Sequence, residues 1–333
     1  MKWGLIGAST IASQFMINAI RSVDAGTVKW VMSGSQEHGE RYAQDHAIDN
    51  ATTELDQMLQ DPQLDAVYIS STNEKHCAQA MSAIKAGKHV LCEKPLAITL
   101  DQAVTMVRAA KQAGVVFATN HHLRNAGTHL AIRDLVRSGR IGNLLSMRIF
   151  HAVSLPENLR GWRINNVQAG GGVIPDIIVH NADTARFHLD EDPAAVVAIS
   201  GTSGLGDGVE DSVMTAWTMP SGVMVLAHAS FTHQFAETGL EIYGTTGSIR
   251  AKGIMTQRPI GSISLTDAEG SHPVSYSDHE LYTRAVRLFG EAVTGGGRPG
   301  ADGVDGIKSL AVALAVREAA NSGAKVSVDY GGY

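Results

Sequence analysis

The stretch Trp3-Gly4-Leu5-Ile6-Gly7-Ala8-Ser9-Thr10-Ile11-Ala12 sets the reading of the whole chain. Residues 3–6 form a short apolar strand, and the pattern from there through Ile20 is helical. Between them lies a dinucleotide fingerprint in degenerate form, with Gly7 at the tight turn, Ser9 where a second glycine is expected and Ala12 at the third place. Small residues there let backbone N–H groups at the start of the helix reach a pyrophosphate. The same unit then repeats. Strands are expected at 27–32, 66–70, 88–92 and 115–119, with helices near 53–60, 77–86 and 99–113. Strand and helix alternating over short connections predict a doubly wound parallel sheet, the Rossmann architecture of α/β proteins, over residues 1–122.

Ligands of such sheets bind where the strands end at their carboxyl edge. The second strand runs into Ser33-Gly34-Ser35-Gln36-Glu37-His38. Ser33 stands where an NAD enzyme usually carries an acid for the ribose 2′-hydroxyl. Without a carboxylate in this turn around Gly34, the residues Ser33, Ser35, His38 and Arg41 could bind a 2′-phosphate, which favours NADP(H). An imidazole carries less charge than a guanidinium at pH 7, so His38 is a weaker phosphate partner than arginine. The third strand leads to Ser71-Thr72-Asn73-Glu74-Lys75-His76, whose small hydroxyl residues suit a cofactor lying across a strand end; His76 is read as a further contact. The fourth gives Val90-Leu91-Cys92-Glu93-Lys94-Pro95, an apolar run ending in an acid, a base and a proline, with Lys94 facing the crevice. The fifth ends in Asn120-His121-His122.

Beyond residue 122 the texture changes. A helix at 128–138 precedes longer strands at 144–153, 194–201, 211–219, 223–231, 239–244 and 248–251. Pro220-Ser221-Gly222 and Thr245-Thr246-Gly247 are hairpin turns between them. Residues 123–333 are therefore expected as an α+β domain with an open, mostly antiparallel sheet and late helices at 280–293 and 304–320. Gly170-Gly171-Gly172 leads into Val173-Ile174-Pro175-Asp176-Ile177-Ile178-Val179-His180-Asn181-Ala182-Asp183, where Pro175 fits a first helical turn. Asp176, His180 and Asp183 are then spaced i, i+4 and i+7 along one face. A carboxylate holding a histidine suits general acid/base work.

Composition closes off other classes. A net charge of -6 leaves no basic excess for nucleic acid. No apolar run reaches a membrane span. Two cysteines, Cys77 and Cys92, make no disulfide framework, and the first residues read as strand rather than signal peptide, so a cytoplasmic protein is expected. The histidines form no metal-binding spacing, and no metal is expected.

The chain resembles the Gfo/Idh/MocA oxidoreductases over its whole length, through the fingerprint, Glu93-Lys94-Pro95, the Gly170 to Asp183 stretch and Tyr243-Gly244-Thr245-Thr246-Gly247. Thr119-Asn120-His121-His122-Leu123-Arg124-Asn125 and Arg160-Gly161-Trp162-Arg163 narrow the likeness within that family. The resemblance implies NADPH-dependent reduction of the 2-keto group of 1,5-anhydro-D-fructose to 1,5-anhydro-D-mannitol. It implies Lys94, Asp176 and His180 as the reacting groups. It also implies cofactor contacts from Ser9, Thr10, Ile11, Ser33, residues 71–76, Glu93, Lys94, Asn120, Trp162, Arg163 and Tyr282. Where relatives place an arginine for the 2′-phosphate, this chain has His38. A sugar or cyclitol dehydrogenase of the same family is an alternative; a nucleotide-sensing regulator is another, disfavoured by the three reacting groups. The implied partner is a small sugar, and the chain is a monomer or a homo-oligomer through its second sheet.

Overall fold

The computed structural model describes residues 1–23 and 25–333. Contacts divide the chain into two units: Met1–His122 with Tyr282–Ile307, and Leu123–Leu281 with Lys308–Tyr333.

The first unit is built on six parallel strands, β1 (Lys2–Ile6), β2 (Thr27–Met32), β3 (Asn50–Thr52), β4 (Ala66–Ile69), β5 (His89–Cys92) and β6 (Phe117–Thr119). Their order, β3-β2-β1-β4-β5-β6, is that of a doubly wound sheet. Leu5, Ile6, the whole of β4 and Val90 to Cys92 are buried, as strands covered on both faces must be. The helix after β1 carries a π turn at Ala12–Met16 before regular α-helix at Ile17–Ser22. Two elements escape the sequence reading. Helix Gln36–Asp45 buries only Gly39, Tyr42 and Ala43, so its apolar signal is thin, and β3 is three residues long.

The expected division into 1–122 and 123–333 requires correction at its far end. Residues 282–307 return to the first unit. Phe289 on helix Leu281–Val293 lies 5.1 Å from the Trp3 ring, and Ala118 bridges antiparallel to Asp302. That segment covers the edge at β6, which would otherwise present unpaired backbone groups. An amphipathic helix does not declare in sequence which sheet it will cover.

The second unit carries nine strands: β7 (Leu144–Ala152), β8 (Ala195–Gly201), β9 (Ser212–Thr218), β10 (Met224–Ser230), β11 (Gly239–Gly244), β12 (Gly247–Lys252), β13 (Ser262–Asp267), β14 (Gly270–Pro273) and β15 (Val326–Ser327). They run β14-β13-β12-β11-β7-β10-β9-β8-β15, and every neighbouring pair is antiparallel except β7 with β10. Alternation is clearest on β9 and the first part of β10. Val213, Thr215 and Trp217 point inward, with Val225 and Ala227 beside them, against a core that includes Val179, Ala182, Val312 and Val316 from two helices. Met214, Met224 and Leu226 point out. Among the described residues no helix is long and apolar enough to cross a membrane.

Candidate active site

The residues expected to face a nucleotide gather at the carboxyl edge of the first sheet. Gly7 ends β1 at φ +111, and a Cβ there would sit 2.9 Å from the Ser71 backbone nitrogen. Only glycine permits both that conformation and that approach. Ser9 Oγ lies 2.7 Å from Ser70 Oγ and accepts from the Ala12 N–H at 3.2 Å. The Ser9 hydroxyl therefore caps its own helix and ties it to the end of β4. Tyr42 donates to the Ser9 carbonyl at 3.0 Å, and burial pushes its phenol up to about 12. The first N–H groups of the helix, around Thr10 and Ile11, have no intrahelical acceptor, as at any helix start.

At the end of β2, Ser33 is buried and its hydroxyl lies 3.1 Å from Nδ1 of the exposed His38. Ser35 caps helix Gln36–Asp45, and the space about Gly34 is open. After β4, the Ser71 hydroxyl donates to Gln79 at 2.5 Å and Thr72 to Glu74 at 2.7 Å, so both strand-end hydroxyls are engaged by the protein. Asn73 is buried beside them. His76, read as a cofactor contact, has a different place. It is fully buried, with Nδ1 2.9 Å from the Pro95 carbonyl and Nε2 3.2 Å from the Ser71 carbonyl. Burial holds its imidazole below the ordinary range, and a neutral ring can donate to only one of those carbonyls. It tethers the loop after β5 to the loop after β4.

Glu93, Lys94 and Pro95 leave β5 through a cis Lys94–Pro95 peptide. Glu93 Oε1 accepts from Tyr68 Oη at 2.5 Å and from Asn120 Nδ2 at 2.6 Å. Burial raises the Glu93 carboxyl, while those two donors, the Lys94 charge and the Lys94 backbone N–H oppose the rise. Asn120 is buried, and its Oδ1 has no partner among the described residues. Tyr282 is buried with Phe15 stacked at 5.0 Å and His122 at 5.5 Å.

In the second unit, the expected regular helix from Pro175 opens instead as a π turn, Ile174–Ile178, followed by α-helix Val179–Leu189. Asp176 sits inside the wider turn and His180 just beyond it. Such turns recur where a helix must re-aim a functional side chain. Asp176 pairs with Arg163 Nε at 3.6 Å, and Arg163 lies over the Trp162 ring at 4.6 Å, so three expected site residues of this unit are joined. His180 is buried, with the His151 ring 5.9 Å away; His151 in turn meets Asn181 Oδ1 at 3.2 Å. Asp183, the third member of the stripe, belongs to the core. Arg124 grips its carboxylate through Nε at 2.8 Å and Nη2 at 2.7 Å, with both side chains buried. Lys94 belongs to the first unit, and Asp176 and His180 to the second.

Tyr68, Gln79, His151 and Arg124 were not singled out in sequence. Only Tyr68 gives a hint, since a phenol inside a buried strand needs a polar partner. Asp267, Glu269 and His272 on the β13–β14 hairpin lie close enough to share an ion, but Arg140 already pairs Asp267 at 2.6 Å.

A Rossmann sheet with a glycine-ended β1 and a Glu-Lys-Pro strand end, followed by an open sheet behind an Asp/His helix, defines a class of nucleotide-dependent oxidoreductase. The chain belongs to the Gfo/Idh/MocA family: residues 1–121 match the oxidoreductase family with the NAD-binding Rossmann fold, and residues 129–250 match the GFO/IDH/MocA C-terminal domain. It is 50% identical over 331 residues to the 1,5-anhydro-D-fructose reductase of Ensifer adhaerens, covering 99% of both chains. It is 22% identical to the myo-inositol 2-dehydrogenase of Thermotoga maritima over 96% of each. Among solved structures, aldose-aldose oxidoreductase from Caulobacter crescentus, complexed with glycerol, superposes with a TM-score of 0.91 at 24% identity over 98% of this chain and 99% of the other. That likeness is one of fold.

Proposed function

We propose that this protein reduces the 2-keto group of 1,5-anhydro-D-fructose to 1,5-anhydro-D-mannitol with NADPH. The observation that carries the reading is the 50% identity, over 99% of both chains, to an enzyme named for that ketone. The cofactor, when bound, supplies the hydride. Gly7 and the helix start at Thr10 and Ile11 accept its pyrophosphate, Ala12 leaves room for it, and Ser33 with His38 faces the 2′ position. Asn120 offers its orphan Oδ1 to the nicotinamide end, and Trp162, Arg163 and Tyr282 complete the contacts. Lys94 and His180 stabilise the oxygen that gains negative charge and deliver its proton, while Asp176, on the turn before His180, orients that histidine.

Substitution tests the chemistry. Lys94→Ala and His180→Ala should each lower turnover of NADPH with 1,5-anhydrofructose by roughly a hundredfold or more; wild-type rates in both end the proposal. A panel of ketoses and cyclitols, run with NADPH and with NAD, separates this reading from an oxidative sugar or cyclitol dehydrogenase. His38→Arg tests the preference for NADP(H). A guanidinium should bind the 2′-phosphate more strongly and lower the KM for NADPH roughly tenfold, leaving that for NADH unchanged. Cys77 and Cys92 are both free thiols, which fits the proposed location in the cytoplasm; cell fractionation reads this directly.

A further inference from the structure

We propose that Tyr68 is a positioning residue for Lys94, acting through Glu93. The inference rests on the reading of Lys94 as a reacting group. Lys94 has no regular element of its own: β5 ends at Cys92, Glu93 intervenes, and Pro95 follows. Its neighbours in the chain contribute to fixing it, and both are tied down. On one side, Glu93 Oε1 receives the Tyr68 hydroxyl at 2.5 Å from β4 and the Asn120 amide at 2.6 Å from just past the end of β6, the two strands that flank β5. The Glu93 carboxylate also takes the Lys94 backbone N–H. On the other side, the Pro95 carbonyl meets His76 Nδ1 at 2.9 Å.

Tyr68 is the informative member of this set. It is fully buried in β4, where an apolar residue would pack as well, yet its hydroxyl reaches the strand end. Burial and the neighbouring carboxylate hold its phenol well above the ordinary range, so it remains protonated and can only donate to an ionised Glu93. The groups that bear on this carboxylate are Lys94 and Cys92 from its own strand end, Tyr68 from β4 and Asn120 after β6. Tyr282 faces Tyr68 from helix Leu281–Val293, and His76 faces Lys94 from helix His76–Lys85. Both donors favour the charged form of Glu93 against its burial. Loss of one lets the carboxyl take a proton at a higher pH, which removes the anion beside Lys94 and weakens the acceptor of its N–H.

The test is Tyr68→Phe, which deletes one oxygen and keeps the ring. Turnover should fall roughly ten- to a hundredfold with the KM for NADPH within about twofold, because the reacting geometry loosens while the nucleotide cradle is untouched. The acid limb of the turnover profile should move to higher pH. In the cofactor-free protein, the infrared stretch of the protonated Glu93 carboxyl, assigned by its loss in Glu93→Gln, should appear at higher pH than in wild type. Unchanged turnover with an unmoved carboxyl band overturns the proposal. So does a lower rate with neither pH quantity displaced, since that describes a packing role. If the wild-type protein reduces no sugar ketone while the band still shifts, the substrate reading falls and the Tyr68 hold on Glu93 stands. Should Tyr68→Phe not fold, Asn120→Ala removes the other donor and reads the same two pH quantities.

Discussion

His129 and His188 show how much one pair of side chains can commit. Both are buried, with His129 Nδ1 3.0 Å from His188 Nε2 and His129 Nε2 3.4 Å from the Ile254 carbonyl. A carbonyl only accepts, so Nε2 of His129 carries its proton, Nδ1 accepts from His188, and Nδ1 of His188 is left as a buried acceptor without a partner among the described residues. Burial lowers His129 to about 4, and burial with the charges of Arg133 and Arg124 holds His188 well below the ordinary range. Both folded-state values lie under those of the unfolded chain, so the unfolded chain binds more protons in acid. Stability is complete above the ordinary histidine range and falls as the pH drops below about 6.5. The unfolding free energy from urea titrations should drop between pH 7 and pH 5, by about 2 kcal/mol from His129 alone. His129→Leu with His188→Leu should flatten that part of the profile; an unchanged slope removes this pair as its cause.

Helix Val179–Leu189 carries His180 at one end and His188 at the other, and ten of its eleven residues are buried. With so little exposed surface, its setting depends on the polar contacts it makes inside the unit. The strongest is Asp183 with Arg124, both nearly without solvent. Asp183→Asn leaves a buried guanidinium facing a neutral amide, and removing one partner of such a pair costs about 3–5 kcal/mol. Chemical denaturation should show that loss. Arg124→Met with Asp183→Leu should recover most of it, because the pair is then replaced by apolar volume. In sequence, Asp183 looks like the third member of a reactive stripe. Its spacing is helical, and spacing cannot tell a residue aimed at a cleft from one aimed at a neighbouring element. His76 is the same lesson on a helix of the first unit: its position at a strand end is legible, and the two carbonyls that enclose it are not.

At the scale of the molecule, the outer face of the second sheet is unusually apolar. Ile199 is 80% exposed and Met224 62%, with Val197, Met214 and Leu226 beside them across β8, β9 and β10. Arg148, Glu241 and Arg250 form a charged ladder on the same face, bordering a cavity of about 390 Å³. We propose that this apolar strip, rimmed by charge, is a surface of association between copies of the chain. Sedimentation equilibrium should return a mass above that of one 35.3 kDa chain. Ile199→Lys with Leu226→Lys should bring it down to a single chain without loss of secondary structure, and a wild type already sedimenting as one chain refutes the assignment.

Most of the alternation of strand and helix in the first 122 residues follows from local pattern, because apolar runs ended by small or polar residues can form little else at that length. The Gly7 turn follows with it, since a φ of +111 at a strand end needs glycine. Helix Gln36–Asp45 and β3 do not, and so the six-strand order, with β3 at its edge, is decided by tertiary pairing. The two hairpins of the second sheet are equally local. Other features depend on distant parts of the chain. Residues 282–307 join the first unit because that sheet has an edge and a face to cover, and nothing within the segment names them. Strands β13, β14 and β15 exist because a neighbour's backbone is there to pair with; β14, wholly exposed, has no inward face to pattern. Tyr68, Asn120 and Glu93 are far apart in sequence and meet only because β4, β5 and the end of β6 are adjacent. Local physics chose the elements and the residues at their ends; which of those residues touch was decided by the packing of segments that no local pattern relates.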